Sequence, residues 1–125
     1  MANVPVTISL VNGTPTATPD TAWVSSNDVI IWSLASGLRW PQANSSNISR
    51  ATAAGSSNLL SAINYVPSGI PGVPGTIQGT VISNATPTAF ENYNATVSQA
   101  SDVGFEDLIL NTHTITFDPK IQVKS

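Results

Sequence analysis

The chain has 125 residues, a net charge of −3 and no cysteine, which excludes disulfides, thiolate catalysis and cysteine-ligated metal sites. Its basic residues are Arg39, Arg50, Lys120 and Lys124, too few for the phosphate contacts that nucleic-acid binding requires. No apolar run is long enough for a membrane-spanning helix, so no membrane span is predicted. This length is close to the commonest domain size, and a single domain over residues 1–125 is expected.

Charged residues make up only 9% of the chain, against about 25% in an ordinary soluble domain. A surface so poor in charge is weakly protected against association. Two interpretations stay open: a stable sandwich of extracellular or thermostable type with a hydroxyl-rich surface, or a subunit whose surface is largely covered in an assembly. The sequence as given starts without the basic and apolar segments of a secretory signal, and the compartment is not determined.

Alternation of apolar and polar residues predicts β-strands in the first part of the chain. Residues 4–11 alternate as a half-buried strand, and residues 14–19 carry two prolines, which favour the edge of a sheet. A short strand is predicted at 22–24. Residues 29–34 form an apolar run between turn signals, which predicts a central strand.

The middle of the chain is less regular. A strand is predicted at 47–51, and apolar spacing within 58–66 predicts one short helix. Residues 67–75 are rich in proline and glycine, which predicts a loop. Further strands are predicted at 76–83, 90–97, 108–117 and 121–123. Short strands at this spacing predict an all-β, Greek-key β-sandwich of about seven or eight strands.

Three features of the sequence resemble the cupredoxin-like fold: the alternating first strand, the turn and strand at 27–32 (NDVIIW), and the closing region. That region comprises a tyrosine-containing strand at 92–97, a strand at 113–117 and the tail at 118–123 (DPKIQV). The resemblance covers both ends of the chain and leaves the middle unmatched. The aspartate turn, the tryptophan strand and the Asp-Pro tail are also similar to the PixA/AidA-type bacterial inclusion-body family.

The resemblance to cupredoxins implies the fold without the copper site. Copper-binding members use two histidines, one cysteine and usually a weak axial methionine. The chain has one histidine, His113, and its one methionine is Met1. Neither a metal nor another cofactor is therefore expected, and His113 is interpreted as a core or interface residue, the alternative being a pH-sensitive or metal-ligating group.

Catalytic patterns are weak throughout the sequence. Asp102, Glu106 and Asp107 fall in one predicted loop, but their spacing differs from that of a calcium-binding loop, so a solvated loop is the preferred interpretation. The Gly-x-Ser-x-Gly pattern of a nucleophile elbow is absent from the sequence. General acid–base residues are few, and the chain is not expected to be an enzyme.

Trp40 lies beside Arg39 and Pro41 at the start of a polar stretch. The preferred interpretation is that it caps one end of the core. The alternative is that Trp40 is exposed and, with Arg39 and Asn44, forms a candidate ligand-binding site for a glycan or another small molecule.

Ile70 and Val73 lie between prolines and glycines in the predicted loop at 67–75. Apolar residues on a rigid loop often contact a partner or the domain itself, so these two are candidate subunit contacts. The preferred hypothesis is a non-catalytic structural protein that forms a homo-oligomer through its weakly charged surface and this loop. The alternative hypothesis is a small-molecule or glycan-binding module.

Overall fold

The computed structural model describes residues 2–11, 14–42, 44–50, 57–70, 73–99, 111–115 and 119–124. Within these residues the secondary structure consists of eleven β-strands and one 3-10 turn, at Ser45–Asn47. The strands are β1 (Asn3–Val11), β2 (Thr14–Thr18), β3 (Thr21–Val24), β4 (Val29–Leu34), β5 (Leu38–Arg39), β6 (Ile48–Arg50), β7 (Leu60–Val66), β8 (Thr76–Val81), β9 (Phe90–Gln99), β10 (Asn111–Ile115) and β11 (Lys120–Val123). The predicted all-β class is confirmed.

The strands form two mixed sheets. The first sheet has the order β2-β1-β4-β8-β7, and the second contains the other six strands. In the second sheet β9 pairs with β5, β6, β10 and β11, while β3 lies beside β11. Two pairs are parallel, β1 with β4 and β3 with β11. Apolar residues from both sheets share one core, so the two sheets pack as a β-sandwich.

The centre of the core is an aromatic contact between the two sheets. Trp32 on β4 is 0% exposed and Tyr93 on β9 is 2% exposed. Their ring centroids lie 5.3 Å apart with an interplanar angle of 67°, the edge-to-face geometry that aromatic pairs favour. Ile30 and Trp32 are buried on β4, and Tyr93, Ala95 and Val97 are buried on β9, so the predicted core positions of 29–34 and 90–97 are confirmed.

A buried carboxylate holds the turn before β4. Asp28 is 4% exposed. Its Oδ1 accepts a hydrogen bond from the backbone N–H of Ala2 over 2.9 Å, and its Oδ2 accepts one from Ser25 over 2.8 Å. Hydrogen bonds to an ionised acceptor are stronger than neutral ones. The aspartate of the 27–32 motif therefore joins the start of β1 to the turn that leads into β4.

The prediction of a short helix at 58–66 is wrong, because this segment contains strand β7 with a β-bulge. The register shifts between Leu60 and Ala62, so two consecutive residues, Ser61 and Ala62, both point to solvent. After the bulge Ile63 and Tyr65 face the core, like Leu60 before it. An extra residue in a strand turns a two-residue apolar period into a three-residue step, which imitates helical spacing.

The structure has more strands than the seven or eight predicted. The strand predicted at 47–51 is observed as β6, at Ile48–Arg50. The strands that were not predicted are β5, which has two residues and lies against β9, and β7. The predicted edge position of residues 14–19 is confirmed, because β2 is the outer strand of the first sheet. The predicted strand at 108–117 is observed at Asn111–Ile115, and its other residues lie outside the described residues.

Candidate functional site

Trp40 is buried, which agrees with its preferred interpretation as a cap on the core and not with the alternative of an exposed ring. The residue is 8% exposed, and its indole N–H donates to the carbonyl oxygen of Gly75 over 2.9 Å. Gly75 ends the loop between β7 and β8, where an added Cβ would collide with the carbonyl oxygen of Val66. Trp40 therefore caps one end of the core and anchors this loop, and its buried ring is poorly placed to stack on a ligand.

The predicted ligand-binding residues do not form one open site. Arg39 is exposed while its neighbour Trp40 is buried, as expected for adjacent residues on opposite sides of an extended chain. Asn44 caps the 3-10 turn, with its side-chain oxygen accepting from the backbone N–H of Ser46 over 2.9 Å. Asn47, which is buried, donates to the carbonyl oxygen of Asn44 over 2.9 Å. Asn44 therefore organises its own loop.

Ile70 and Val73 form an exposed apolar tip on the loop between β7 and β8. Ile70 is 62% exposed and Val73 is 50% exposed. We call these two side chains the hairpin tip. Large apolar side chains exposed together on one loop are typical of an interaction surface. The structure therefore leaves both predicted contact residues accessible.

Ser68 holds the hairpin tip in one conformation. Its hydroxyl donates to the carbonyl oxygen of Val73 over 2.7 Å and accepts from the backbone N–H of Ile70 over 3.1 Å. The backbone N–H of Val73 in turn donates to the carbonyl oxygen of Ile70 over 3.1 Å. A preorganised loop loses less conformational entropy when it binds.

A groove of about 380 Å³ lies directly beside the hairpin tip. Its wall on the domain side is the turn between β4 and β5, where Gly37 has a φ of +87° that favours glycine. The residues that line the groove include Leu34, Ala35, Leu38, Arg39, Val73 and Pro74. The structure thus brings Arg39, a predicted ligand-binding residue, to the same groove as Val73, a predicted subunit contact.

Trp23 is the exposed tryptophan of this chain, with 52% of its surface accessible. It points outward from β3, between the buried residues Ala22 and Val24. Sequence analysis placed it on a short strand without identifying it as a surface residue. The signal that could have found it is the alternation of Ala22 and Val24 with Trp23, which places the ring opposite the core side of the strand.

The buried acids among the described residues have structural partners. Glu91 is 0% exposed and its Oε1 accepts a hydrogen bond from the backbone N–H of Leu59 over 2.9 Å. Asp28 accepts two backbone hydrogen bonds in the turn before β4. Both carboxylates therefore hold backbone segments of the sandwich in place.

Several predicted features fall outside what the structure describes. The loop with Asp102, Glu106 and Asp107 lies outside the described residues, and so does the side chain of His113, although its backbone pairs with Val97. In the described part of the chain, no three or more histidine, aspartate or glutamate side chains lie together as a metal site would require. No helix in that part has the length and apolar character needed to cross a membrane.

The chain matches no protein-family model, and no curated protein matches it significantly. A function is therefore inferred from the fold and from the features of the surface. The class that the structure defines is a small all-β sandwich with a preorganised apolar hairpin tip.

Proposed function

We propose that this protein is a non-catalytic assembly module that associates with further copies of itself through the hairpin tip. The observation that carries the proposal is the exposure of Ile70 and Val73, at 62% and 50%, on a loop whose described residues accept hydrogen bonds from Ser68 and Trp40. Burying a large aliphatic side chain is worth roughly 1.5–3 kcal/mol. Two such side chains on each copy would make association favourable at moderate concentration.

The groove beside the hairpin tip is the proposed site for the second copy. Much of its lining is apolar, including Leu34, Ala35 and Pro74, and its volume of about 380 Å³ accommodates an isoleucine side chain. A projection and a groove that lie next to each other on one surface are self-complementary. Two copies related by a two-fold axis can therefore place each Ile70 in the groove of the other, which closes the contact symmetrically.

The scarcity of charge supports self-association over binding to a charged partner. Charged residues are 9% of the chain, and the one described cation at the groove is Arg39. Close approach of two copies therefore brings few like charges together, and a surface with little charge opposes association weakly.

We also propose that the sandwich is of the cupredoxin-like kind, without a copper site. The support is that the segments that carry the resemblance are strands in the expected order. They are β1 at the start, β4 with Trp32 at its centre, β9 with Tyr93, and β11 at the end. The chain has no cysteine and one histidine, which is too few for the blue-copper ligand set.

Light scattering after gel filtration, over a range of protein concentrations, tests the proposed assembly. We expect the wild-type chain to show a mass above that of the 13.0 kDa monomer, and the double variant Ile70→Ser/Val73→Ser to be monomeric. The matched control is Val11→Ser, because Val11 is 52% exposed and lies on β1, which neighbours neither β7 nor β8 in the first sheet. A wild-type monomer at every concentration, or equal association of both variants, would overturn the proposal.

A further inference from the structure

The outer face of the second sheet carries a row of side chains that crosses three strands. Phe90 on β9 pairs with Gln122 on β11, and Gln122 pairs with Trp23 on β3. Their neighbours Ile121 and Val123 are buried, so the row lies on the solvent side of the sheet. Adjacent strands lie about 4.8 Å apart, which places the two aromatic residues on strands about 10 Å apart. That separation suits a ligand of two linked sugar rings.

Trp23 gives this row an open aromatic ring. It is 52% exposed and stands on β3, the last strand in the order of the second sheet. Tryptophan combines a large apolar face with a polar N–H, so an accessible ring offers a ligand both a stacking surface and a hydrogen-bond donor. The other two tryptophans are buried, one in the core and one beneath the loop between β7 and β8.

Two lysines flank the row on β11. Lys120 pairs with Thr21 on one side and Asn92 on the other, and its Nζ lies 5.5 Å from the centroid of the Phe90 ring. Lys124 is exposed two residues after Gln122, on the same side of the chain, and its backbone N–H donates to the carbonyl oxygen of Val24. Among the residues that the structure describes, the exposed acid near this face is Asp20, which precedes β3. Two of the four basic residues of a chain with a net charge of −3 therefore lie beside Trp23.

We propose that this face binds an acidic saccharide, a glycan that contains uronic acid residues. The C–H face of a pyranose ring stacks on the indole of Trp23. The carboxylate of the sugar pairs with Lys120 or Lys124, and the side-chain amide of Gln122 hydrogen-bonds to hydroxyl groups. The flat ring favours a sugar over an acidic peptide, and the two lysines favour an acidic sugar over a neutral one. The site is separate from the hairpin tip and does not depend on self-association.

Tryptophan fluorescence titrations test the proposal on the full chain. The probes are oligogalacturonate, a neutral galactose oligomer of matched length, and polyglutamate as the acidic peptide. We expect oligogalacturonate to bind, the neutral oligomer to bind at least tenfold more weakly, and polyglutamate to leave the fluorescence unchanged. Because the other two tryptophans are buried, the change in fluorescence reports on Trp23.

Two variants and one control test whether oligogalacturonate binds to this face. Their affinities are measured by calorimetry, because one variant removes the fluorescent reporter. We expect Trp23→Ala to weaken oligogalacturonate binding at least tenfold, and Lys124→Ala to weaken it severalfold and to reduce its dependence on salt. Val11→Ala, which changes an exposed residue away from this face, should bind like the wild type. Absence of oligogalacturonate binding, equal binding of the neutral oligomer or of polyglutamate, or full affinity in Trp23→Ala would overturn the proposal.

Discussion

The indole N–H of Trp40 donates to the carbonyl oxygen of Gly75 over 2.9 Å, across 35 positions of sequence. This hydrogen bond joins the segment after β5 to the end of the loop between β7 and β8. The same loop carries the hairpin tip, Ile70 and Val73, on its exposed side. Trp40 is therefore a positioning residue for the proposed contact surface.

Replacing Trp40 with phenylalanine should destabilise the protein and loosen the loop. The substitution leaves the carbonyl oxygen of Gly75 without its indole donor and leaves a cavity, which together are expected to cost about 2–4 kcal/mol. Urea denaturation measures the change in unfolding free energy, and hydrogen exchange at the Val73 amide measures the loosening. The control Trp23→Phe changes an exposed ring and should stay within about 0.5 kcal/mol of the wild type. Equal stability of both variants would contradict the positioning role of Trp40.

Gly79 lies against the core tryptophan. A Cβ at Gly79 would lie 2.9 Å from Cζ3 and 3.1 Å from Cη2 of Trp32. Gly79→Ala should therefore overpack the core and cost about 1–3 kcal/mol. In a Trp32→Phe background the same substitution should cost less, because the smaller ring leaves space for the methyl group. A double-mutant cycle by thermal unfolding measures this coupling, and strictly additive effects would contradict the contact.

The stability of the protein should fall between pH 10 and 12 because of Tyr93. Burial, reinforced by the negative charge of Asp20, raises the pKa of Tyr93 from 10.0 to about 12, an effect that the nearby Trp32 side chain partly offsets. The folded protein then keeps the phenolic proton at pH values where the unfolded chain has lost it. The stabilisation is fully present below pH 10 and is lost as the pH rises through the folded pKa.

This pKa difference corresponds to about 3 kcal/mol. Tyr93→Phe should remove this part of the alkaline loss, so the wild type should lose about 2 kcal/mol more than the variant between pH 10 and 12, where most of the difference develops. Denaturant titrations at a series of pH values measure the difference. Parallel stability curves for the two proteins would contradict the raised pKa.

Local sequence patterns predicted the main strands of the core. The central strand at 29–34 was predicted from its apolar run between turn signals, and the core face of Tyr93, Ala95 and Val97 was predicted from its two-residue period. The strand β7 was missed because its bulge at Ser61 and Ala62 breaks that period. Strand β5 is too short to show a period, and it exists because β9 supplies its partner.

The exposure of the aromatic residues depended in part on contacts distant in sequence. Trp40 lies in a polar stretch of the sequence. Its burial accompanies the hydrogen bond to the carbonyl oxygen of Gly75, and no local sequence pattern connects these two positions. Trp23, by contrast, is exposed because it alternates with the buried residues Ala22 and Val24, which is a local pattern. The apolar tip at Ile70 and Val73 was predicted correctly as an exposed pair, since prolines and glycines keep that segment out of a strand interior.

Cross-linking through single introduced cysteines tests the central claim most directly, because the chain has no cysteine of its own. Ile70→Cys places a thiol on the hairpin tip. Ser83→Cys places one on an exposed residue beyond the opposite end of β8. With a short bifunctional thiol reagent, self-association through the tip predicts a covalent dimer for Ile70→Cys and a monomer for Ser83→Cys. Equal cross-linking of the two variants, or none in either, would contradict the account.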